Sequence, residues 1–381
     1  MNLSRRDCTL ISPVSTQVFP IVVTALAIKP TKVILLTTPK VNIFANLIER
    51  ALIFAGIEVE QKTINPYCPF SIKESIKNIE NPFFLLNCGT KFTAINLYRL
   101  SNGRNAYYYL PDGRVVDFDG RELLRVPENL VDVELHAQMY GFEIVEERLD
   151  YEKIRRRREL TRYIADTPLL TSVLTRLFHN GFVEKLPFQK FVELAQKHGV
   201  ISYRIGKFFA IDKDYIGGKW LEEFIFLKLL DLNFSDVRIG VKVRWYGKDV
   251  INEIDVMATK KNRLHLFSCK TGKNTKEILK HLYELEELTE RIGGDFGKSY
   301  LVITENLFTP EPPKKSEFPN VPSVSYRENK KIWWKYYGTE EGKAYKKAWS
   351  NYKSFRNLVK RAELLGIEII TVKDFEGGKV G

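Results

Sequence analysis

Short apolar runs alternate with amphipathic stretches through the first hundred residues. Cys8 to Val14 is an apolar run of strand length closed by Ser15-Thr16-Gln17, and Val18–Ile28 follows with helix character. Lys32–Leu36 is a second buried-strand run, ended by Thr37-Thr38-Pro39. Ile43, Leu47, Ile48, Ala51 and Leu52 then recur at the three-and-four spacing of one helix face, which stops at Gly56. Glu58–Ile64 alternates as a third strand, Ser71–Ile79 is a short helix, and Pro82–Asn87 is a fourth buried strand. Cys88-Gly89-Thr90-Lys91 turns into a helix over Phe92–Leu100. Asn105–Leu110 and Arg114–Phe118 flank Pro111-Asp112-Gly113, a turn that folds two alternating strands back on each other. Strands alternating with helices predict a parallel, doubly wound sheet, so residues 1–145 are expected to form a Rossmann-like α/β domain.

The pattern changes after that. Residues 146–213 read as a helical connector, with a winged-helix-like form as one version of it. Its run Arg155-Arg156-Arg157-Arg158 reads as a solvated helix face, with a grip on phosphate as the alternative. Residues 214–381 predict a second α/β domain. Gly217-Gly218 precedes a helix over Lys219–Leu232, and Val237–Trp245, Val250–Ala258 and Arg263–Lys270 follow as strands. A helix over Lys276–Arg291, a strand over Ser299–Thr304 and a proline-rich linker from Pro310 to Val324 come next. The chain closes with a helix over Tyr352–Leu365, Gly366 as its cap, and the strand Ile367–Val372.

A length of 381 residues suits two or three such domains, and 44% hydrophobic with 28% charged residues excludes a disordered or coiled-coil chain. The 59 Lys and Arg against 47 Asp and Glu leave a net charge of +12, which favours polyanionic partners. Cys8, Cys68, Cys88 and Cys269 lie far apart with no CxxC pair, excluding a zinc ribbon and favouring a reducing cytoplasm. The longest apolar run, Gln17 to Ile28, is shorter than the ~20 residues of a membrane span, so no membrane partner is expected. Arg5 and Arg6 ahead of that run mimic a signal peptide. Pro13, Ser15, Thr16 and Gln17 interrupt its hydrophobic region, so strand, turn and helix is the better reading. Abundant Lys, Glu and Ile hint at a thermophilic source.

The chemistry concentrates in the second domain. If Val250–Ala258 and Arg263–Lys270 pair around a turn at Lys260–Asn262, period-two alternation puts Glu253 and Asp255 on one face and Ser268 and Lys270 on one face of the next strand. A carboxylate, a second oxygen ligand and a lysine converging there suit metal-assisted phosphodiester hydrolysis. Mg²⁺ or Mn²⁺ takes hard oxygen ligands, and a lysine stabilises the charge that builds on the phosphorus. Glu222 or Glu223 from the preceding helix would complete the set, and only one of the two can point inward.

This order, helix glutamate, Asp255, then Ser268-x-Lys270, resembles the PD-(D/E)xK restriction-endonuclease-like superfamily. The strings GGKWLEEFIF, NEIDVMATKKNRLHLFSCKTG and LLGIEII are similar, more narrowly, to the C-terminal nuclease of the CARF-nuclease effectors of type III CRISPR antiviral defence. Cys88-Gly89-Thr90-Lys91 is similar to the GGTK-type turn of their N-terminal CARF domain. The resemblance implies a CARF sensor over residues 1–145 that binds a cyclic oligoadenylate, with cyclic tetra-adenylate the first expectation, and a nuclease over residues 214–381. It implies allosteric activation and cleavage of single-stranded RNA, DNA or both. Glu222 and Asp255 would bind metal, the Cys269 carbonyl offers another ligand, Ser268 takes the third position, and Lys270 serves the attacking water. The family has Glu or Asp where this chain has Ser268, so one negative charge is missing, which Glu253 would offset. A ligand-responsive nucleic-acid-binding protein with a degenerate, non-cutting nuclease fold is the alternative.

Two further sets of residues are candidates for binding. Ligands of open α/β sheets sit beyond the C-terminal strand ends, which here carry Ser12, Ser15, Thr16, Gln17, Thr37, Thr38, Gly89, Thr90 and Lys91. Neither a GxGxxG nor a Walker loop is present, so this is a poor NAD or ATP site. A cyclic ligand of even symmetry on a chain with one such domain calls for a homodimer. Lys331, Trp333, Trp334, Lys335 and Tyr336 interleave cations with aromatic rings, a mix that suits single-stranded nucleic acid. Packing of the rings against the domain is the alternative.

Overall fold

The computed structural model describes residues 7–247, 249–272, 275–304 and 311–375, the side chains of 275, 276 and 315 excepted. Arg5, Arg6 and Pro310 lie outside them. Internal contacts group the chain into two compact units. One comprises Met1–Leu149, Leu229–Leu266 and Glu287–Lys298, and the other Asp150–Lys228, Phe267–Glu286 and Ser299–Gly381.

In the first unit, β1 (Thr9–Pro13), β2 (Lys32–Thr37), β3 (Val59–Thr63), β4 (Pro82–Leu85), β5 (Ala106–Tyr109), β6 (Arg114–Asp117) and β7 (Glu122–Arg125) form one sheet in the order β3-β2-β1-β4-β5-β6-β7. Its first five strands run parallel, and the hairpin around Pro111-Asp112-Gly113 turns β6 and then β7 antiparallel. Both faces are buried, which is why the strands read as unbroken apolar runs. Leu10, Val33, Leu35, Phe83 and Leu85 pack on one face against α1 (Phe19–Ile28), α2 (Asn42–Phe54) and α5 (Val133–Tyr140). The alternate residues Ile11, Ile34, Leu36, Phe84 and Leu86 pack on the other, against Ile72 of α3 (Pro69–Ser75) and Leu97 of α4 (Lys91–Leu100). Helix α1 is apolar almost all round because nine of its ten residues are buried in this core. That accounts for the run that mimicked a signal peptide.

The second sheet has the order β16-β15-β14-β13-β12-β8, with β8 (Phe142–Glu146), β12 (Ser235–Trp245), β13 (Ile251–Lys260), β14 (Arg263–Lys270), β15 (Lys298–Ile303) and β16 (Ile367–Thr371). The sequence pattern does not single out β8, which pairs antiparallel with β12 from Trp245↔Phe142 to Lys242↔Glu146. Lys261 and Asn262 both take positive φ, 51° and 64°, the geometry of a tight hairpin turn. The buried Asn262 side chain accepts from the Leu130 and Val131 amides and donates to the Pro127 carbonyl.

In the second unit, α6 (Tyr151–Arg156), α7 (Arg158–Ala165), α8 (Pro168–Asn180) and α9 (Gln189–Lys197) accompany a small antiparallel sheet of β9 (Phe182–Val183), β10 (Ile201–Arg204) and β11 (Lys207–Ala210). This stretch falls within residues 146–213. Helix α10 (Trp220–Asp231) follows, then the start of α11 (Thr275–Gly293), α12 (Lys330–Tyr337) and α13 (Glu340–Leu364). Among the described residues, no helix is long and apolar enough to cross a membrane.

Candidate functional site

The approach to α10 is built by a tight turn. Asp212 accepts from the Tyr215 amide at 3.0 Å, and a wide turn over Tyr215–Lys219 ends at Gly218, whose φ of 159° is open to glycine. A Cβ at Gly217 would meet the Phe178 ring at 2.8 Å, and one at Gly218 would meet the Thr271 hydroxyl at 3.2 Å. Close approach favours glycine at 217 and backbone conformation favours it at 218, and the turn they make leads to Glu222 and Glu223 in the first turn of α10.

Successive helix residues point about 100° apart, and here they part company. Glu222 is half-buried and lines a cavity of about 410 Å³ together with Lys219, Cys269, Lys270, Glu277 and His281. Glu223 is fully buried and bound to Arg157, whose Nε donates to its Oε2 at 2.6 Å and whose Nη2 donates to its Oε1. Arg157 also donates to Asp212 Oδ2 at 3.0 Å and lies 4.1 Å from the centre of the Tyr215 ring. Tyr215 shares a 2.8 Å hydrogen bond with Thr161.

Burial opposes the charge on Arg157, but the Glu223 carboxylate more than offsets it and raises the guanidinium's affinity for its proton. Burial would raise the Asp212 carboxyl, yet the Tyr215 amide and the Arg157 guanidinium hold it below its usual range. Two expectations are corrected here. Glu223 is an anchor of the fold and not a ligand facing the cavity, and Arg157 is buried while its neighbours Arg155, Arg156 and Arg158 stay exposed. The only sequence signal for Arg157 is its phase, three residues from the apolar positions Ile154 and Leu160.

The strand residues sit as follows. Asp255 is half-buried on β13 between the buried Ile254 and Val256. Glu253, two residues earlier on the same face, is exposed and pairs in register with Lys242, whose ammonium is bonded to Glu146 at 2.7 Å. Ser268 is half-buried after Phe267, a ring stacked 4.6 Å from Tyr300. Lys270 and Cys269 at the end of β14 line the Glu222 cavity, and the following Thr271 donates to the Gly217 carbonyl at 3.3 Å. Thus Glu222, Cys269 and Lys270 share one cavity. Among the described residues, no group of three or more His, Cys, Asp and Glu is placed to hold a metal ion.

At the first sheet, the order β2-β1-β4 marks the point where the chain reverses its direction of winding, the usual place for a ligand crevice. The turn after β1 carries exposed Thr16 and Gln17, with the Ser15 hydroxyl accepting from the Gln17 amide at 3.2 Å. The turn after β4 carries Gly89 at φ 81°, where a Cβ would strike Pro13 at 2.6 Å. Thr90 then caps α4 by accepting from the Thr93 amide at 3.1 Å, and exposed Lys91 follows. Thr38 is half-buried. Two predicted ligand residues point inward instead. Ser12 is fully buried and donates to the Leu85 carbonyl at 3.0 Å, tying β1 to β4, and the buried Thr37 hydroxyl faces the Thr38 carbonyl at 3.4 Å. Sequence reasoning missed Asp295, whose carboxylate accepts from Gln17 Nε2 at 2.8 Å, and Phe296, whose ring stacks 4.6 Å from Phe19. Their distance in sequence hid them.

The basic aromatic segment forms α12 and the start of α13. Trp333 and Tyr336 are buried with Tyr345, against Phe318, Val321 and Trp349, and Trp333 Nε1 donates to the Val324 carbonyl at 2.8 Å. A Cβ at Gly342 would overlap the Tyr336 carbonyl, so glycine is needed where the two helices meet. Packing claims Trp333 and Tyr336, against the expectation that they contact nucleic acid. Lys331, Trp334 and Lys335 remain exposed.

Fold and cavity together define a class: a doubly wound α/β domain in one chain with a second α/β sheet and a cavity lined by Glu222, Cys269 and Lys270. Residues 211–309 match the family model described as Card1-like, endonuclease domain. The chain is similar to the structure of Can2 from Sulfobacillus thermosulfidooxidans in complex with cyclic tetra-adenylate, at 17% identity, 95% coverage of each chain and a TM-score of 0.66. It is similar to protein VC1899 from Vibrio cholerae at 15% identity, covering 97% of this chain and 95% of that one, with a TM-score of 0.69. A type III CRISPR defence DNA nuclease activated by cyclic oligoadenylate is 18% identical over 79% of this chain and 46% of its own, with a TM-score of 0.51. A search of curated proteins found no match. At these identities the likeness is one of fold, and the expected α/β architecture, with a doubly wound first domain, is borne out.

Proposed function

We propose that the protein is a divalent-metal-dependent endonuclease switched on by a cyclic oligoadenylate, cyclic tetra-adenylate first. The observation that carries this reading is the shared cavity of Glu222 and Lys270, inside the residues matched by the endonuclease model. Residues 1–145 would serve as the sensor, 146–213 as the connector and 214–381 as the nuclease, acting in the cytoplasm.

Glu222 would bind Mg²⁺ or Mn²⁺, with the Cys269 carbonyl as a weaker oxygen donor in the same cavity, and Asp255 and Ser268 are the further positions that the resemblance implies. This donor set suits Mg²⁺, which takes one or two carboxylates and fills its shell with water and substrate phosphate. The ion supplies positive charge against the scissile phosphate. Lys270 carries three N–H donors for the attacking water and for the charge that builds on the phosphate oxygens. Glu223 does not take part directly. It fixes the turn of helix from which Glu222 projects.

The activator would lie between the turns after β1 and β4, where Thr16, Gln17, Gly89, Thr90 and Lys91 offer amides, hydroxyls and one cation to phosphate. Support comes from the strand order, which puts the winding reversal at that crevice. A ring of even symmetry bridges two such half-sites, so the active form is a homodimer. Activation requires the ring to bind the cutting state more tightly than the resting state.

The test is cleavage of labelled single-stranded RNA and of supercoiled DNA with Mn²⁺ or Mg²⁺, with and without cyclic tetra-adenylate. Cutting only with metal and ligand together supports every part of the reading. Cutting without ligand keeps the nuclease and removes the switch. No cutting with cyclic tetra- or hexa-adenylate overturns the reading in favour of a binding protein that lost its chemistry at Ser268.

A further inference from the structure

Tyr326, Trp334, Tyr337, Gly338 and Lys346 enclose a second cavity, of about 470 Å³. Its size falls in the range of about 300–1,000 Å³ typical of small-molecule sites. Its walls are unusual for a surface. Trp334 is 67% exposed and Tyr326 40% exposed, although large aromatic rings are ordinarily well covered. Tyr326 and Tyr337 are carried on a packed base. Trp333 lies 5.4 Å from Tyr337 and 6.5 Å from Tyr326, centre to centre, and is buried against Tyr336 and Tyr345. Two of the rings that line the cavity, Tyr326 and Tyr337, are thus backed by the buried Trp333.

Cations outnumber acids in the segment around it. Helix α12 carries Lys330, Lys331 and Lys335 and no acid, while Lys346 and Lys347 of α13 are exposed nearby in sequence. The Lys346 ammonium lies 5.7 Å from the centre of the Tyr337 ring. The acids of the segment are engaged locally. Glu328 accepts from the Ser325 amide at 2.8 Å, Glu340 pairs with Lys343 at 2.6 Å, and Glu341 holds the Asn320 amide at 2.9 Å and the Tyr336 hydroxyl at 3.1 Å. Lys331, Lys335 and Lys346 form no ion pair among the described residues.

We propose that this cavity is a nucleobase subsite: it takes one unpaired base of a single-stranded nucleic acid onto the Trp334, Tyr326 and Tyr337 rings, with the flanking phosphates on Lys331, Lys335 and Lys346. Aromatic faces accept any base, and lysines give the backbone its grip, so the site is indifferent to sequence. A duplex cannot use it, because its bases are already paired and stacked. The inference rests on the nuclease reading only in calling the bound strand a substrate. It names where that strand is held outside the Glu222 cavity.

Binding is measured on the full chain in EDTA, so that no cleavage is involved. The probes are fluorescein-labelled oligothymidylate, an abasic oligonucleotide of equal length, a duplex, and polyglutamate. The expected result is that oligothymidylate binds about tenfold more tightly than the abasic strand, and that Trp334→Ala removes this advantage while leaving abasic binding unchanged. Trp334→Phe retains most of the advantage, and Lys335→Ala lowers the slope of log K against log salt by about 0.7. Equal affinity for the abasic strand, the duplex or polyglutamate overturns the proposal, as does unchanged oligothymidylate binding by Trp334→Ala. Binding of the expected pattern without any cleavage in Mn²⁺ would sink the nuclease reading and leave the subsite standing. Cleavage together with unchanged binding by Trp334→Ala would do the reverse.

Discussion

Arg157 and Glu223 meet as a buried ion pair across 66 positions of sequence, with Arg157 Nε 2.6 Å from Glu223 Oε2. Their side chains are only 2% and 0% exposed. A pair so deeply buried is repaid only when its remaining hydrogen bonds are met, and here Asp212 and the Tyr215 ring face supply the rest of the Arg157 environment. The consequence falls on the next residue, because α10 cannot rotate without breaking the pair. Glu222 is thereby held toward its cavity.

Replacing one partner is therefore expected to be costly. Arg157→Met strands a buried carboxylate and should lower stability by about 3–5 kcal/mol in chemical denaturation, while the double change with Glu223→Met recovers much of it. Glu222→Gln should behave in the opposite way, keeping the melting temperature and reducing cleavage by at least about 100-fold. If Glu222→Gln cut normally, its assigned role would be lost.

Ser268 offers a gain-of-function test. Ser268→Asp restores a carboxylate to the position where the resemblance implies one, and should lower the Mn²⁺ concentration needed for half-maximal cleavage several-fold. An unchanged or raised metal requirement would show that Ser268 is not near the ion.

Stability should fall on mild acidification because two histidines are buried neutral. Burial pushes His136 down to about 4 and, helped by Lys298 and Lys260, pushes His265 down to about 3. Between the ordinary value near 6.5 and these values the unfolded chain binds more protons than the folded one, so stability declines as pH falls through that window. His136 alone accounts for about 3 kcal/mol across it. Asp212, held low, adds its loss only below about pH 4. Unfolding free energies measured from pH 7 to pH 4.5 test this, and His136→Phe should flatten the slope whatever it does to stability at pH 7. A slope unchanged in that variant would exclude His136 as a source.

The first sheet separates structural from binding hydroxyls. Ser12→Ala removes a buried hydrogen bond between β1 and β4 and should cost about 1 kcal/mol with no change in binding of cyclic tetra-adenylate. Lys91→Ala, at an exposed position, should leave the melting temperature alone and weaken that binding about tenfold by calorimetry. The converse pattern would move the ligand away from this crevice.

Much of the architecture was legible in the order of residues. Apolar runs such as Leu10–Val14, Val33–Leu36 and Phe83–Leu86 announce strands covered on both faces, because alternate side chains must all be buried. The Pro111-Asp112-Gly113 turn announced the hairpin it makes, and the spacing of Glu222, Asp255 and Lys270 pointed to nuclease chemistry. Local periodicity and turn chemistry need no distant partner, so a single chain reports them directly.

What the sequence by itself could not decide was which of two equivalent residues faces which neighbour. Glu222 and Glu223 are identical in type and adjacent in sequence, and only the arrival of Arg157 from the turn between α6 and α7 assigns one to the cavity and the other to the core. Trp333 and Trp334 divide in the same way, one beneath Tyr345 and the other in the open cavity. Ser12 looked like a ligand until β4 was laid beside β1. Each of these choices depends on burial and pairing with residues far along the chain, and those interactions exist only once the tertiary structure has brought the elements together.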